Sequence, residues 1–366
     1  MKRLVACCLS LLLLGSTALG AEVPLYDPYE TSEWAETDVA RAIELGYHRS
    51  SSVGDQSPNV ILGELWESIS RGQFASTAAA MVAGEYGSKL DSYLRITSCH
   101  RRVAGEMAYG VTAVDVAQEL GILKGRGEGD LDLQAEITRQ EAAVMLARTL
   151  RSYRTAPEGT TEELPFADAC ETADWAREDV ALMYRLGVMN GVGEDRFDPL
   201  GTYTVEQCMV SLVRLHEQAP YDGSGPADPF ALERVPGGYA ESWMDTTLAF
   251  AVETEDYWAL AWTGSAVMGG PKFHIEIIDG DLDLHSYSAV IYTGYSDFYG
   301  NADAWPQNVR VSEDGGAILY DAVVEQDVYR NGFEDQPLLF QRGLYTVTMD
   351  LATGEQTWTR TDLPEE

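Results

Sequence analysis

Positive charge is scarce in this chain of 366 residues: 25 lysines and arginines stand against 59 acids, a formal charge of −34. Such a surface repels phosphate backbones and anionic lipids, which excludes nucleic-acid binding and membrane-surface attachment as leading functions. Histidine is scarcer still, with five residues. There is no Gly-x-Ser-x-Gly elbow, no His-Glu-x-x-His pair and no glycine-rich phosphate loop. Acidic pairs abound, yet nothing singles out two of them as glycosidase carboxylates. No catalytic residue, metal ligand or cofactor is assigned, and the chain reads as a non-enzyme. Cysteine is also sparse. Cys7 and Cys8 fall in the N-terminal segment, and the odd set Cys99, Cys170 and Cys208 forms no disulfide framework. A Cys170–Cys208 bridge stays open as an alternative, but buried free thiols are the simpler expectation.

What is present begins with a leader. Lys2 and Arg3 precede the apolar run Leu4 to Leu14, and Ala18-Leu19-Gly20 offers small residues for cleavage. Residues 1–20 therefore read as a signal peptide, with no membrane insertion after cleavage, because the apolar run is too short for an ordinary span. Leu4-Val5-Ala6-Cys7 precedes the apolar core instead of closing it, so lipidation is not expected.

A repeated text follows. Trp34-Ala35-Glu36-Thr37-Asp38-Val39 matches Trp175-Ala176-Arg177-Glu178-Asp179-Val180, and twelve positions separate each Trp from Gly46 or Gly187. Asp27 and Asp168 each lie seven residues before their Trp. A degraded middle copy has Tyr109 and Arg102 in those slots and stops at Leu120-Gly121. Apolar residues recur at helical spacing up to each Leu-Gly, where glycine supplies the left-handed cap. A second helix then opens on a capping box: Ser70 with Gln73, Thr138 with Glu141, Thr204 with Gln207. Phe74, Ala142 and Cys208 occupy one matched core slot, and Ala78, Leu146 and Leu212 another. A lone two-helix unit cannot bury such a face, which predicts one composite domain over about 22–218.

The Asp-x6-Trp-Ala start, the Leu-Gly turn and the Ile-Thr-Arg-x-Glu start resemble the S-layer homology family over a little more than half of the chain. The resemblance implies three repeats, at 22–90, 91–153 (degenerate) and 162–218, packed as an all-α, pseudo-threefold bundle. It further implies a secreted protein held at the bacterial cell wall by a secondary cell-wall polysaccharide, often through a pyruvylated sugar. Carried over by position, Arg71 and Arg139 would meet the acidic sugar, with Trp34, Trp175, Asp27 and Asp168 as groove or framework residues. A guanidinium beside free helix-start N–H groups suits an acidic sugar. Val205 takes the third arginine's place, which predicts an impaired or reshaped third site. Two expectations come from the residues alone. Trp34 and Trp175 should be mainly core. Arg95, His100, Arg101 and Arg102 should form a solvated patch paired with acids, the alternative being a widening of a polysaccharide groove.

Residues 219–238 are rich in Pro and Gly and read as a linker. Beyond them, over 239–366, the period becomes two. Strands are predicted at 247–252, 257–263, 272–278, 287–293, 317–324, 344–350 and 355–361, making an all-β domain of sandwich or small-barrel type. Asp279-Gly280-Asp281-Leu282-Asp283 has the rhythm of a calcium loop but lacks its later glycine and glutamate, and a polar hairpin turn is expected. Trp243, Trp258, Trp262, Trp305 and Trp358 offer a possible carbohydrate platform. The alternative to a wall-anchored display protein is thus a wall-anchored carbohydrate-active enzyme, or a glycan- or protein-binding module, with its activity in the β-domain.

Overall fold

The computed structural model describes residues 31–47, 49–50, 60–61, 64–103, 111–127, 130–157, 164–232, 237–240, 248–264, 272–289, 307–324, 327–329 and 338–361. The leader, Asp27, Tyr109, Trp243 and Trp305 lie outside the described residues, as do the side chains of Arg102 and Trp262.

The N-terminal part is helical: α1 (Glu36–Glu44), α2 (Arg71–Glu85), α3 (Leu90–Val103), α4 (Ala113–Glu119), α5 (Arg139–Tyr153), α6 (Asp174–Arg185) and α7 (Val205–Gln218). The predicted stops are present. Gly46, Gly121 and Gly187 have φ of 80°, 72° and 70°. In each case the next amide bonds back five residues: Tyr47 N–H to Ala42, Ile122 to Ala117 and Val188 to Met183. This is the Schellman closure that only a left-handed residue allows. The three predicted capping boxes are complete, and Thr112 with Asp115 adds one at the start of α4. The six matched core-slot residues are fully buried in one apolar cluster that spans the helices.

The starts of α2, α5 and α7 are bonded to one another. Ile69 donates its N–H to Tyr203 O, Tyr203 to Ile137 O, and Ile137 to Ile69 O, closing a cycle. The first two amides of each helix also cross over. Arg71 and Gly72 donate to Ala135 and Leu133, Arg139 and Gln140 to Gly201 and Pro199, and Val205 and Glu206 to Glu67 and Leu65. The orphan donors of a helix start are thereby satisfied by the turn of a neighbour.

The C-terminal part holds two antiparallel sheets. One runs β3 (Gly237–Ala240), β4 (Leu248–Glu253), β5 (Trp258–Gly264), β6 (Lys272–Ile278) and β7 (Leu284–Ala289) in sequence order. The other has the order β13 (Gln356–Thr361), β12 (Gly343–Asp350), β9 (Ala317–Val324), β8 (Gln307–Val311). Short pairs β1 (Arg49–Ser50) with β2 (Val60–Ile61) and β10 (Val328–Tyr329) with β11 (Leu338–Phe340) complete the strands. Val252, Ala259, Ile275 and Ile277 of the first sheet share a core with Ile318, Tyr320, Val347 and Met349 of the second. The predicted strands are present within a few residues, except that β7 begins at Leu284 and residues 290–293 lie outside the described set. The predicted hairpin pairs Val347 with Trp358. Asp279–Asp283 is a turn between β6 and β7 in which the Asp279 carboxylate accepts the N–H groups of Asp281 and Asp283.

Helix α3 was not foreseen, and it changes the reading of the basic patch. Ile96 and Cys99 pack on Trp258, Leu260 and Ile278, the face of the first sheet turned away from the second. Around them Arg95 pairs with Glu276 at 2.7 Å, His100 Nε2 lies 3.3 Å from Glu253, and Lys89 pairs with Asp283. The patch does pair with acids, but much of it is docked and not solvated. Residues 219–232 also lie against the helices: Phe230 is buried against Tyr93, the Tyr221 ring sits 4.7 Å from that of Tyr86 at a 46° tilt, and Tyr221 N–H donates to Glu85, which also bonds His216 at 2.5 Å.

Candidate functional site

The motif arginines sit at the first position of α2 and α5, and both are buried. Arg139 donates from Nε to Phe197 O at 2.8 Å and from Nη2 to Asn190 O at 2.8 Å. Arg71 makes the matching bonds to Leu131 O at 3.0 Å and Lys124 O at 2.8 Å. Each guanidinium therefore uses one two-donor edge to tie the turn of a neighbouring helix pair. The Arg139 plane lies 5.0 Å from the Phe197 ring centroid and 5.8 Å from that of Tyr203. Burial lowers both arginine pKa values, though these groups stay cationic. The outer nitrogen Nη1 of Arg71 is 4.0 Å from Glu141, which Arg126 holds at 2.5 Å. The expected free N–H groups beside the arginines are not there. The first two helix amides donate to neighbouring carbonyls and the third to the cap hydroxyl of Ser70 or Thr138.

Asp168 has a framework place. Its carboxylate accepts the N–H groups of Phe197 at 2.9 Å and Asp198 at 2.8 Å, with Arg196 at 3.4 Å. Burial acts to raise its pKa, but these donors outweigh it and hold the group below the usual aspartate value. Asp168 thus fixes the turn whose Phe197 carbonyl receives Arg139.

Trp34 and Trp175 correct the core expectation: they are 56% and 60% exposed. Alanines fill the inward places instead, since Ala35 and Ala176 are fully buried beside them. Sequence reasoning missed Trp66 and Leu200, which share one position four residues before the caps of α2 and α7 and are 66% and 58% exposed. No periodicity marks them; only the alignment of the two caps could have paired them.

These residues fall into two like seams. At the α7 start, Glu206 accepts Ser32 N–H at 2.7 Å while donating its own N–H to Leu65 O. That bond pair sets the Trp34 and Trp66 segments on either side of it. At the α5 start, Gln140 accepts Ala173 N–H at 2.9 Å and donates to Pro199 O, flanked by Trp175 and Leu200. At the α2 start the corresponding residue is Gly72, and the turn carries Gln134. Cys170 is exposed and Cys208 fully buried, so the two form no bridge, and only Cys99 and Cys208 fit the buried-thiol expectation. Among the described residues no cluster of His, Cys, Asp and Glu is fit to hold a metal, and no helix is long and apolar enough to cross a membrane.

A family model for the S-layer homology domain matches residues 165–202, the stretch from before Asp168 through the turn that Arg139 ties. That stretch is therefore similar to an S-layer homology domain. The chain is also 27% identical over 151 residues to the S-layer protein sap of Bacillus anthracis, a match spanning 41% of this chain but 18% of that protein. Both likenesses support an association of this chain with the cell surface or cell wall.

Proposed function

We propose that this chain is a non-catalytic surface protein whose helical part holds a secondary cell-wall polysaccharide and whose β-domain is displayed outward. In this reading the α1–α2, α4–α5 and α6–α7 pairs are three S-layer homology repeats around a pseudo-threefold axis, and the two sheets form a sandwich. The observation that carries it is the pair of like seams, where a shared hydrogen-bonding scheme presents exposed indoles at helix entries of a domain of this family. Their exposure leaves the indole faces open, and such faces suit sugar rings. In this reading the acidic sugar meets Arg71 and Arg139 at Nη1, since Nε and Nη2 are bonded to carbonyls, although both side chains are largely buried and Glu141 lies 4.0 Å from Nη1 of Arg71. Attachment needs no cofactor and no reaction step.

The test is co-sedimentation of the full chain, without residues 1–20, with isolated Gram-positive walls. The chain should pellet with intact walls and stay in solution with walls from which the polysaccharide has been extracted. Equal pelleting with both overturns the reading.

A further inference from the structure

We propose that the seam at the α7 start is a stacking site for an uncharged sugar ring, a different ligand class from the acidic sugar assigned to the arginine-bearing starts. This deepens the wall-glycan reading and rests on it.

Three observations carry it. First, nothing at this seam is built for an anion. Val205 stands where α2 and α5 have arginine, and the N–H groups of Val205, Glu206 and Gln207 are bonded to Glu67 O, Leu65 O and the Thr204 hydroxyl. Arg214, further along α7, is held by Asp38 at 2.9 Å. Second, the seam is acidic. The Glu206 carboxylate is buried where the segments meet, and Glu33, Glu64 and Glu67 are exposed beside the two tryptophans. Fixed negative charge repels a carboxylate but offers acceptors to sugar hydroxyls. Third, among the described residues this seam alone carries two exposed indoles, Trp34 and Trp66; the α5 seam pairs Trp175 with Leu200. An indole face takes the C–H face of a pyranose without needing charge. Val205 in place of an arginine and the second exposed tryptophan fall on the same seam, a combination that suits an uncharged ligand better than an acidic one.

The experiment uses the full chain, without residues 1–20, and two probes: soluble wall polysaccharide as isolated, and the same polysaccharide stripped of ketal pyruvate by mild acid. Binding is read by calorimetry. Wild type should retain measurable affinity for the stripped glycan. Trp34→Ala with Trp66→Ala should lower that affinity at least tenfold, and Trp34→Phe with Trp66→Phe should restore most of it. Arg71→Lys should weaken binding of the native glycan alone. Melting temperatures report whether each variant is folded; should the alanine pair fail to fold, the phenylalanine pair compared with Trp34→Gln decides. Equal binding of stripped glycan by wild type and the tryptophan variants overturns the proposal. Binding of native glycan with none of the stripped form also overturns it, while leaving the wall reading intact. Failure to bind either probe removes the wall reading itself.

Discussion

The starts of α5 and α7 share a cap, a crossing pair of amides and a side chain that joins two segments, yet one has Arg139 and the other Val205. Arg139 reaches out of its own helix to hold two carbonyls of the next turn, whereas Val205 is simply buried. The difference shows that the Thr-Arg motif is first a structural tie here, and that a seam can keep its backbone cycle without it.

The largest effect that would sharpen this contrast is on stability. Arg139→Ala takes the guanidinium donor from the buried Phe197 carbonyl and from the more exposed Asn190 carbonyl and should cost about 2–4 kcal/mol, against roughly 1–2 kcal/mol for Val205→Ala. Urea unfolding of both variants measures it, and equal losses would deny Arg139 its role as a tie. Next comes acid. The pKa values of Asp168 and Glu141 are held below their usual range by backbone amides and neighbouring arginines that outweigh burial. Their stabilisation is therefore fully present above the ordinary carboxylate range and is lost as pH falls through the depressed folded values, below about 4. Asp168→Asn should be less stable by about 1–2 kcal/mol at pH 7, with the gap to wild type closing as the pH drops below 4. A gap that does not change with pH would show that the charge of Asp168 is not what holds the turn. The smallest effect is chemical. In the chain lacking residues 1–20, a maleimide should label Cys170 quickly and leave Cys99 and Cys208 intact until unfolding, because burial raises the Cys208 thiol pKa and blocks access. Two labels on the native chain would contradict the packing around α3 or α7.

Much of this fold is legible locally. Capping boxes, Leu-Gly stops and period-two strands depend on residues within one or two turns, so Ser70, Thr138, Thr204 and the β12–β13 hairpin could be placed from sequence. What escaped depends on distance along the chain. Helix α3 reads as a solvated basic stretch until Glu253 and Glu276, more than 150 residues away, are brought beneath it. The arginine partners are backbone carbonyls, which carry no side-chain signature. Trp34 and Trp175 mislead because helical spacing places an aromatic near the core face without saying which of two adjacent residues, Trp or Ala, turns inward.

Hydrogen exchange of the full chain with and without isolated wall polysaccharide tests the central claim most directly. Added protection is expected at 32–35, 65–67, 173–176 and 199–201, where the two seams present their exposed side chains. Protection confined to the β-domain sheets, with those four segments unchanged, would contradict it.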